Sequence, residues 1–220
     1  MPASSTVDLT PNELLTSTRA VRRHLDLTRP VAPEIVEECI SIAQQAPTAS
    51  NLQDWHFLVV RDARKREELG KLYRKAAEMY FSIPSVAGRV GSDDPRREAT
   101  RARVRQSALY LAEHIHEVPI HVIPCIQGRT EDSPAFAQAA KWGSILPAAW
   151  SFMLAARARG LGTCFTTFHL FYEERAARIL GIPFRDIMQA GLIPVAYAKR
   201  VSFRPAPREP VSSMIHWDNW

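Results

Sequence analysis

The stretch from Ala43 to Val60 constrains this chain most, because three local signals follow one another there without a gap. An amphipathic run ends at Pro47, a loop of small polar residues follows, and Trp55-His56-Phe57-Leu58-Val59-Val60 is aromatic and β-branched. Proline lacks a backbone N–H and turns the residue before it away from helical geometry, while aromatic and β-branched side chains suit a pleated, buried surface. A helix, a loop and a buried strand are predicted. The loop offers Thr48, Ser50, Asn51 and Gln53, and its N–H groups lie beyond a helix that has already ended. It reads either as a ligand-holding loop or as an ordinary helix-to-strand connection.

A chain of 220 residues with 46% hydrophobic and 23% charged side chains can bury one substantial core. We expect a disordered N-terminus over residues 1–10 and a single domain over 11–220, with a tail from about 200 to 220. Met1 to Thr10 carry neither a basic nor an apolar leader-like run, and no long apolar stretch follows, so a cytoplasmic protein that does not enter a membrane is expected. Cys39, Cys125 and Cys164 lie in apolar runs, which suits buried thiols better than bridges. The net charge of +5 favours an anionic ligand.

Pro11 begins a short helix over 11–18. Arg19-Ala20-Val21-Arg22-Arg23-His24-Leu25 follows, and it is either a phosphate clamp or a solvated basic face. From Pro33, Ile35, Val36, Cys39, Ile40, Ile42, Ala43 and Ala46 recur at helical spacing. Asp62 should cap a helix carrying Leu69, Leu72, Tyr73, Ala76 and Tyr80, with Glu67 and Lys71 paired on its surface. Residues 82–97, rich in Gly, Pro and Ser, read as a mobile flap over a ligand. A helix is predicted over 98–117, on Val104, Ala108, Leu111 and Ile115. A strand follows over 119–126, where Pro124 should mark an edge or an end. His114, His116 and His121 lack ligand spacing, so no metal is expected. Ser144 and Pro147 should open a core helix that Gly160 closes. A strand from Leu161 to Phe168, a helix from Tyr172 to Leu180 and a strand from Ile187 to Tyr197 complete the body. The tail's aromatics, His216 to Trp220, need something to dock on.

Neither common glycine-rich phosphate cradle is present, nor a nucleophile elbow. What remains is cationic and hydroxyl-bearing loops able to hold an anionic cofactor that carries the chemistry itself. From about Arg19 onward the chain resembles the FMN-dependent nitroreductase family, the NAD(P)H-dependent flavin oxidoreductases. Thr18-Arg19-Ala20-Val21-Arg22 is similar to the family's Arg-Arg-Ser-x-Arg segment, with Ala20 in place of the serine. Pro47-Thr48-Ala49-Ser50-Asn51-Leu52-Gln53-Asp54-Trp55 is similar to its Pro-Ser-x-x-Asn-x-Gln-Pro-Trp loop, with Asp54 for proline. Gly160-Leu161-Gly162-Thr163 resembles its Gly-Leu-Gly-Ser turn, and Arg208-Glu209-Pro210-Val211 its terminal Arg-x-Pro-Leu element.

The resemblance implies an α+β, three-layer fold with a central mixed five-stranded sheet, completed by the partner's C-terminal segment in a homodimer with FMN sites at the interface. It implies that Arg19, Ala20, Arg22 and Arg208 serve the phosphate and ribityl chain. Pro47, Thr48, Ser50 and Asn51 would embrace the flavin from the other subunit, and Thr166 and Thr167 would meet its reactive edge. The implied activity is ping-pong transfer from NAD(P)H through FMN to a nitro compound, quinone or similar small-molecule acceptor, with no side chain acting as nucleophile. Two other readings are weighed against it. One is a flavin store without turnover; the other is a nucleic-acid binder resting on Arg96, Arg97, Arg101, Arg103 and Arg105, which have few neighbouring aromatics.

Overall fold

The strand at Ile120–Gln127, buried at every residue but its last, is the axis of the sheet in this computed structural model, which describes residues 7–83 and 95–220. In chain order it is β2; β1 is Trp55–Val60, β3 Leu161–Thr163, β4 Ile187–Gln189 and β5 Ile193–Tyr197. β1 pairs along β2 from Trp55↔Ile126 to Val60↔His121. On the other side of β2, β5 covers Ile120–Val122 and β4 covers Cys125–Gln127, with β3 outside β5. Five strands are present, the number that the resemblance implies, where four were read from the residues, and all four ladders are antiparallel. Among the described residues parallel pairing is limited to an isolated bridge, Gly128↔Ile187, so a mixed sheet needs a further strand.

Three strand expectations are corrected here. Pro124 marks neither an edge nor an end but sits mid-strand in the centre of the sheet. Its carbonyl accepts from Ala190 N–H, so its missing donor faces the same way, into the gap between β4 and β5 where no ladder partner is lost. That gap also splits the strand predicted from Ile187 to Tyr197. The strand predicted from Leu161 to Phe168 stops at Thr163, with Thr166 rejoining the sheet through a bridge to Leu192.

The helices are α1 (Pro11–Ser17), α2 (Pro33–Ala43), α3 (Ala63–Ser82), α4 (Pro95–His114), α5 (Ala135–Ala158) and α6 (Glu173–Leu180). Alternation along β2 sorts them into layers. Ile120 and Val122 face Val36 and Cys39 of α2 and Phe152 of α5. Ile123 and Cys125 face Leu69 and Tyr73 of α3, Leu111 of α4 and Ala176 of α6.

The helix expected to open at Ser144 begins at Ala135 instead and carries Pro147 in its interior. An interior proline loses a hydrogen bond and crowds the carbonyl four residues back, a cost of about 3 kcal/mol. Here burial of Ile145, Ala148, Ala149 and Phe152 holds the helix through the proline. Gly160 follows the helix end at φ 74°, as read from the sequence. α4 starts earlier than expected, at Pro95, and ends at His114 before a 3-10 turn over Ile115–Glu117. Lys71 pairs with Glu68 at 2.5 Å rather than with Glu67, whose carboxylate lies 3.8 Å from His116.

Val7 N–H donates to the Ala158 carbonyl at 2.7 Å, and Thr10 closes a capping box with Glu13. Of the flap expected over 82–97, residues 84–94 lie outside the described residues. All three cysteines are buried and free. No described helix is long and apolar enough to cross a membrane.

Candidate cofactor site

The segment after α1 is clamped onto β3. Val21 N–H donates to the Thr163 carbonyl at 2.8 Å, and Val21 and Leu25 bury their side chains. Gly162 makes that approach possible. A Cβ there would stand 2.8 Å from Val21 Cγ1 and 2.9 Å from Leu25 Cδ2. Beyond β5, Lys199 N–H donates to the His24 carbonyl at 2.7 Å and brings residues 200–203 alongside. Arg157, buried in the last turn of α5, braces that segment from beneath, donating to the Val201 carbonyl with its guanidinium 4.9 Å from the Phe203 ring centre.

With Val21 inward, the polar members of the segment frame a depression of about 280 Å³ lined by Arg19, Ala20, Arg22, Arg23, His24, Ser107 of α4, Arg200 and Ser202. Among the described residues, no carboxylate lines it. Four guanidiniums, which stay charged and donate in planar pairs, and two hydroxyls make a surface for a phosphate. Arg19, Ala20 and Arg22, which the resemblance assigns to the phosphate and ribityl chain, are among its lining residues. Arg200 and Ser202 were missed, although a cation and a hydroxyl just past a strand end were visible signals. Arg208 lies outside this depression, exposed on the tail, its nearest polar contact the Pro207 carbonyl at 3.5 Å.

Thr166 lies beside the same segment. Its backbone exchanges hydrogen bonds with Leu192 at 3.0 and 2.8 Å, and its Oγ1 is 2.7 Å from the Tyr73 hydroxyl. Burial pushes the Tyr73 hydroxyl's pKa well above the usual phenol range, and the Arg22 charge pulls it back. Burial likewise raises the Cys164 thiol, again opposed by Arg22. Thr167, exposed, heads the 3-10 turn Phe168–Tyr172.

The loop after α2 is tightly wound. Ala49–Asn51 forms a 3-10 turn, and Ser50, Asn51 and Gln53 have φ of 51°, 54° and 51°. Asparagine tolerates this left-handed region, but Ser50 and Gln53 are strained by about 1 kcal/mol or more each. The turn is held by Ala49 N–H to Ser144 Oγ at 3.0 Å, Gln53 N–H to Thr48 Oγ1 at 3.3 Å and Gln53 Nε2 to Asn51 Oδ1 at 3.1 Å. Ser144, expected as a helix cap, is thus a mid-helix anchor that also donates to the Ala140 carbonyl. Pro47, Ser50 and Asn51 are exposed and Thr48 is half-buried.

The two halves of the expected site are held apart along α5, the loop at its middle and the cationic segment at its C-terminal end. The loop docks at Ser144 and the cationic segment is braced by Arg157, a separation of about 20 Å at 1.5 Å per residue. Of the expected residues, Arg19, Ala20 and Arg22 line one depression, Thr166 and Thr167 follow the β3 strand onto which that segment is clamped, and Pro47, Thr48, Ser50 and Asn51 lie on the loop docked at Ser144. Among the described residues no group of three or more His, Cys, Asp or Glu could hold a metal ion. His121 is instead a buried core residue whose Nε2 lies 2.7 Å from the Ile115 carbonyl.

Comparison with known proteins places these features in a lineage. The sequence profile of the Nitroreductase family matches residues 15–197. A nitrobenzene nitroreductase of Ectopseudomonas oleovorans is 28% identical over 213 residues, spanning 87% of each chain. A Thermus thermophilus NADH dehydrogenase is 28% identical over 212 residues, 90% of this chain and 91% of its own. Among solved structures, a point mutant of the FMN and NADPH-dependent nitroreductase NfnB from a Sphigopyxis strain superposes with a TM-score of 0.69 at 20% identity, over 96% of this chain and all of that one. Iodotyrosine deiodinase bound to FMN and 3-iodo-L-tyrosine gives 0.68 at 18% identity, over 95% and 98%. These structural likenesses speak for the fold, and the profile match, running from α1 through β5, carries the assignment: the chain belongs to the nitroreductase family.

Proposed function

We propose that this chain is an FMN-dependent oxidoreductase that takes reducing equivalents from NAD(P)H and passes them, in a ping-pong cycle, to a nitro compound, a quinone or a similar acceptor. The observation that carries this reading is the depression of four arginines and two serines, with no described carboxylate in its lining, beside the Thr166 hydroxyl. Bound FMN would supply the two-electron chemistry. The chain's part is to hold and to polarise. Arg19, Arg22, Arg23 and Arg200 grip the phosphate, Tyr73 fixes the Thr166 hydroxyl, and the Arg22 charge favours anionic character nearby. One turnover on a nitroarene consumes NAD(P)H and a proton and yields the nitroso compound, NAD(P)+ and water. The names of the relatives, with their nitrobenzene, FMN and NADPH, support the same reading.

The active unit is a homodimer with two shared sites. Leu146 and Trp150 on α5, Phe136 near its start and Leu52 in the loop leave an apolar face exposed, and Trp217 and Trp220 in the tail are 83% and 102% exposed with no core of their own to join. The loop around Asn51 of one protomer would close on the cationic depression of its partner, with the tail as the strap. Three buried free thiols suit a reducing cytoplasm.

Purified protein should be yellow or become so with added FMN, and should oxidise NAD(P)H when nitrobenzene or a quinone is present. No flavin uptake would overturn the reading. Flavin uptake without turnover would leave the storage alternative.

A further inference from the structure

The rings beside the proposed site form one connected shelf. Tyr73, whose hydroxyl meets Thr166, packs on Phe168 with centroids 5.2 Å apart; Tyr80 lies 5.1 Å and Phe81 5.9 Å from Phe168, and Tyr80 meets Phe81 edge-on at 5.3 Å. Phe81, Phe168 and Tyr80 are only partly buried, so the shelf faces outward. At its outer end, Arg105 of α4 sets its guanidinium over the Phe81 ring at 5.6 Å from the centroid. At its inner end the Tyr73 hydroxyl meets Thr166 Oγ1 at 2.7 Å. An exposed arginine on a purely solvated face extends into water, whereas this one, although exposed, lies against the shelf.

Among the described residues of the packed helices, Glu78 and Glu98 are the acidic side chains nearest in sequence to Phe81 and Arg105. Glu98 is two turns from Arg105, about 10 Å along α4. Glu78 and Glu113 line a groove of about 610 Å³ between α3 and α4, with His114, His116 and Glu117, and Arg74 lines it too. Glu173 of α6 is bound to Arg129 at 2.7 Å.

An aromatic shelf leading from the reactive position to a guanidinium suits a flat substrate with a negative charge at the end away from the group being reduced. We infer that the preferred acceptor class is a nitroarene or quinone bearing a carboxylate, its ring on the Phe81–Phe168 shelf and its carboxylate at Arg105. This rests on the oxidoreductase reading above. Arg105 selects the substrate and takes no part in the electron transfer. The balance is unchanged: 4-nitrobenzoate, NAD(P)H and a proton give 4-nitrosobenzoate, NAD(P)+ and water.

The test compares 4-nitrobenzoate with nitrobenzene on FMN-loaded protein, and benzoate with benzamide as non-reducible ligands followed by the change in flavin absorbance. We expect kcat/KM about tenfold higher for 4-nitrobenzoate at about 0.01 M ionic strength, with the preference fading toward about 1 M. Benzoate should bind more tightly than benzamide. In R105Q the ratio of the two kcat/KM values should fall several-fold, and R105K should retain most of it. Equal kcat/KM for the two nitroarenes at low salt, or a ratio untouched by R105Q, would overturn the inference while leaving the oxidoreductase reading in place. Protein that takes up no FMN would overturn both.

Discussion

The Tyr73 hydroxyl, almost fully buried, lies 2.7 Å from Thr166 Oγ1 and ties the middle of α3 to the residue that rejoins the sheet after β3. Only one of these groups has an alternative partner in water, because Thr166 is half-buried and Tyr73 is not. T166V should therefore leave a buried hydroxyl unsatisfied and cost about 1–3 kcal/mol, whereas Y73F should cost about 0.5–1.5 kcal/mol. Urea melts of the two variants and the double mutant check the order; Y73F being the worse of the two would contradict it.

Arg200 and Arg208 compete for the role of the tail cation. Arg200 lines the depression, and Arg208 lies outside it, exposed on the tail. A charge-assisted contact contributes roughly 1.5–3 kcal/mol, so R200A should weaken FMN binding about tenfold to a hundredfold. R208A should do the same only where the strap crosses between protomers. Fluorescence titration with FMN separates the cases, and unchanged affinity in R200A would remove that residue from the phosphate site.

Acid should destabilise the fold through two buried imidazoles. Burial lowers the His121 pKa to about 4, and burial together with neighbouring His121 lowers that of His169 to about 3. Unfolded histidine titrates near 6.5, so between these values the unfolded chain binds protons that the folded chain refuses, and stability falls as pH drops. The contribution is fully present above about pH 6.5 and declines toward pH 4, by on the order of 3 kcal/mol for His121 alone. Unfolding free energy measured across this window should rise with pH. Imidazole NMR signals showing either histidine charged at pH 6 in the folded state would refute the cause.

The separation of the loop, docked midway along α5, from the cationic segment at its C-terminal end makes a complementation experiment decisive. Consider a mixed dimer of one R22A chain and one N51A chain, each nearly inactive as a homodimer. With shared sites, one site inherits both changes and the other is intact, so about half the activity per mixed dimer returns. With sites inside single chains, both sites remain damaged and nothing returns.

The sequence by itself determined the local pieces. Proline at 33, Asp62 at a cap and Gly160 at a left-handed turn act through a few neighbouring dihedrals, and the elements they mark are where they were expected. The arginines at 19 and 22 were also legible, because a short basic run interrupted by Val21 already contains the alternation that turns the valine inward and the charges outward. Tertiary structure decided what depended on distant partners. Pro124 is tolerated mid-sheet because a gap between two other strands happens to face its missing donor, and Pro147 is carried inside α5 by side chains that bury against the sheet. Neither gap nor burial is written near the proline. Arg200 joins the depression because Lys199 bonds to the His24 carbonyl, a contact across most of the chain, and Ser144 serves the loop because α5 began earlier than its local signals suggested. Short-range steric rules can be read in order along the chain. Which donor meets which acceptor across the fold is settled only when the layers pack.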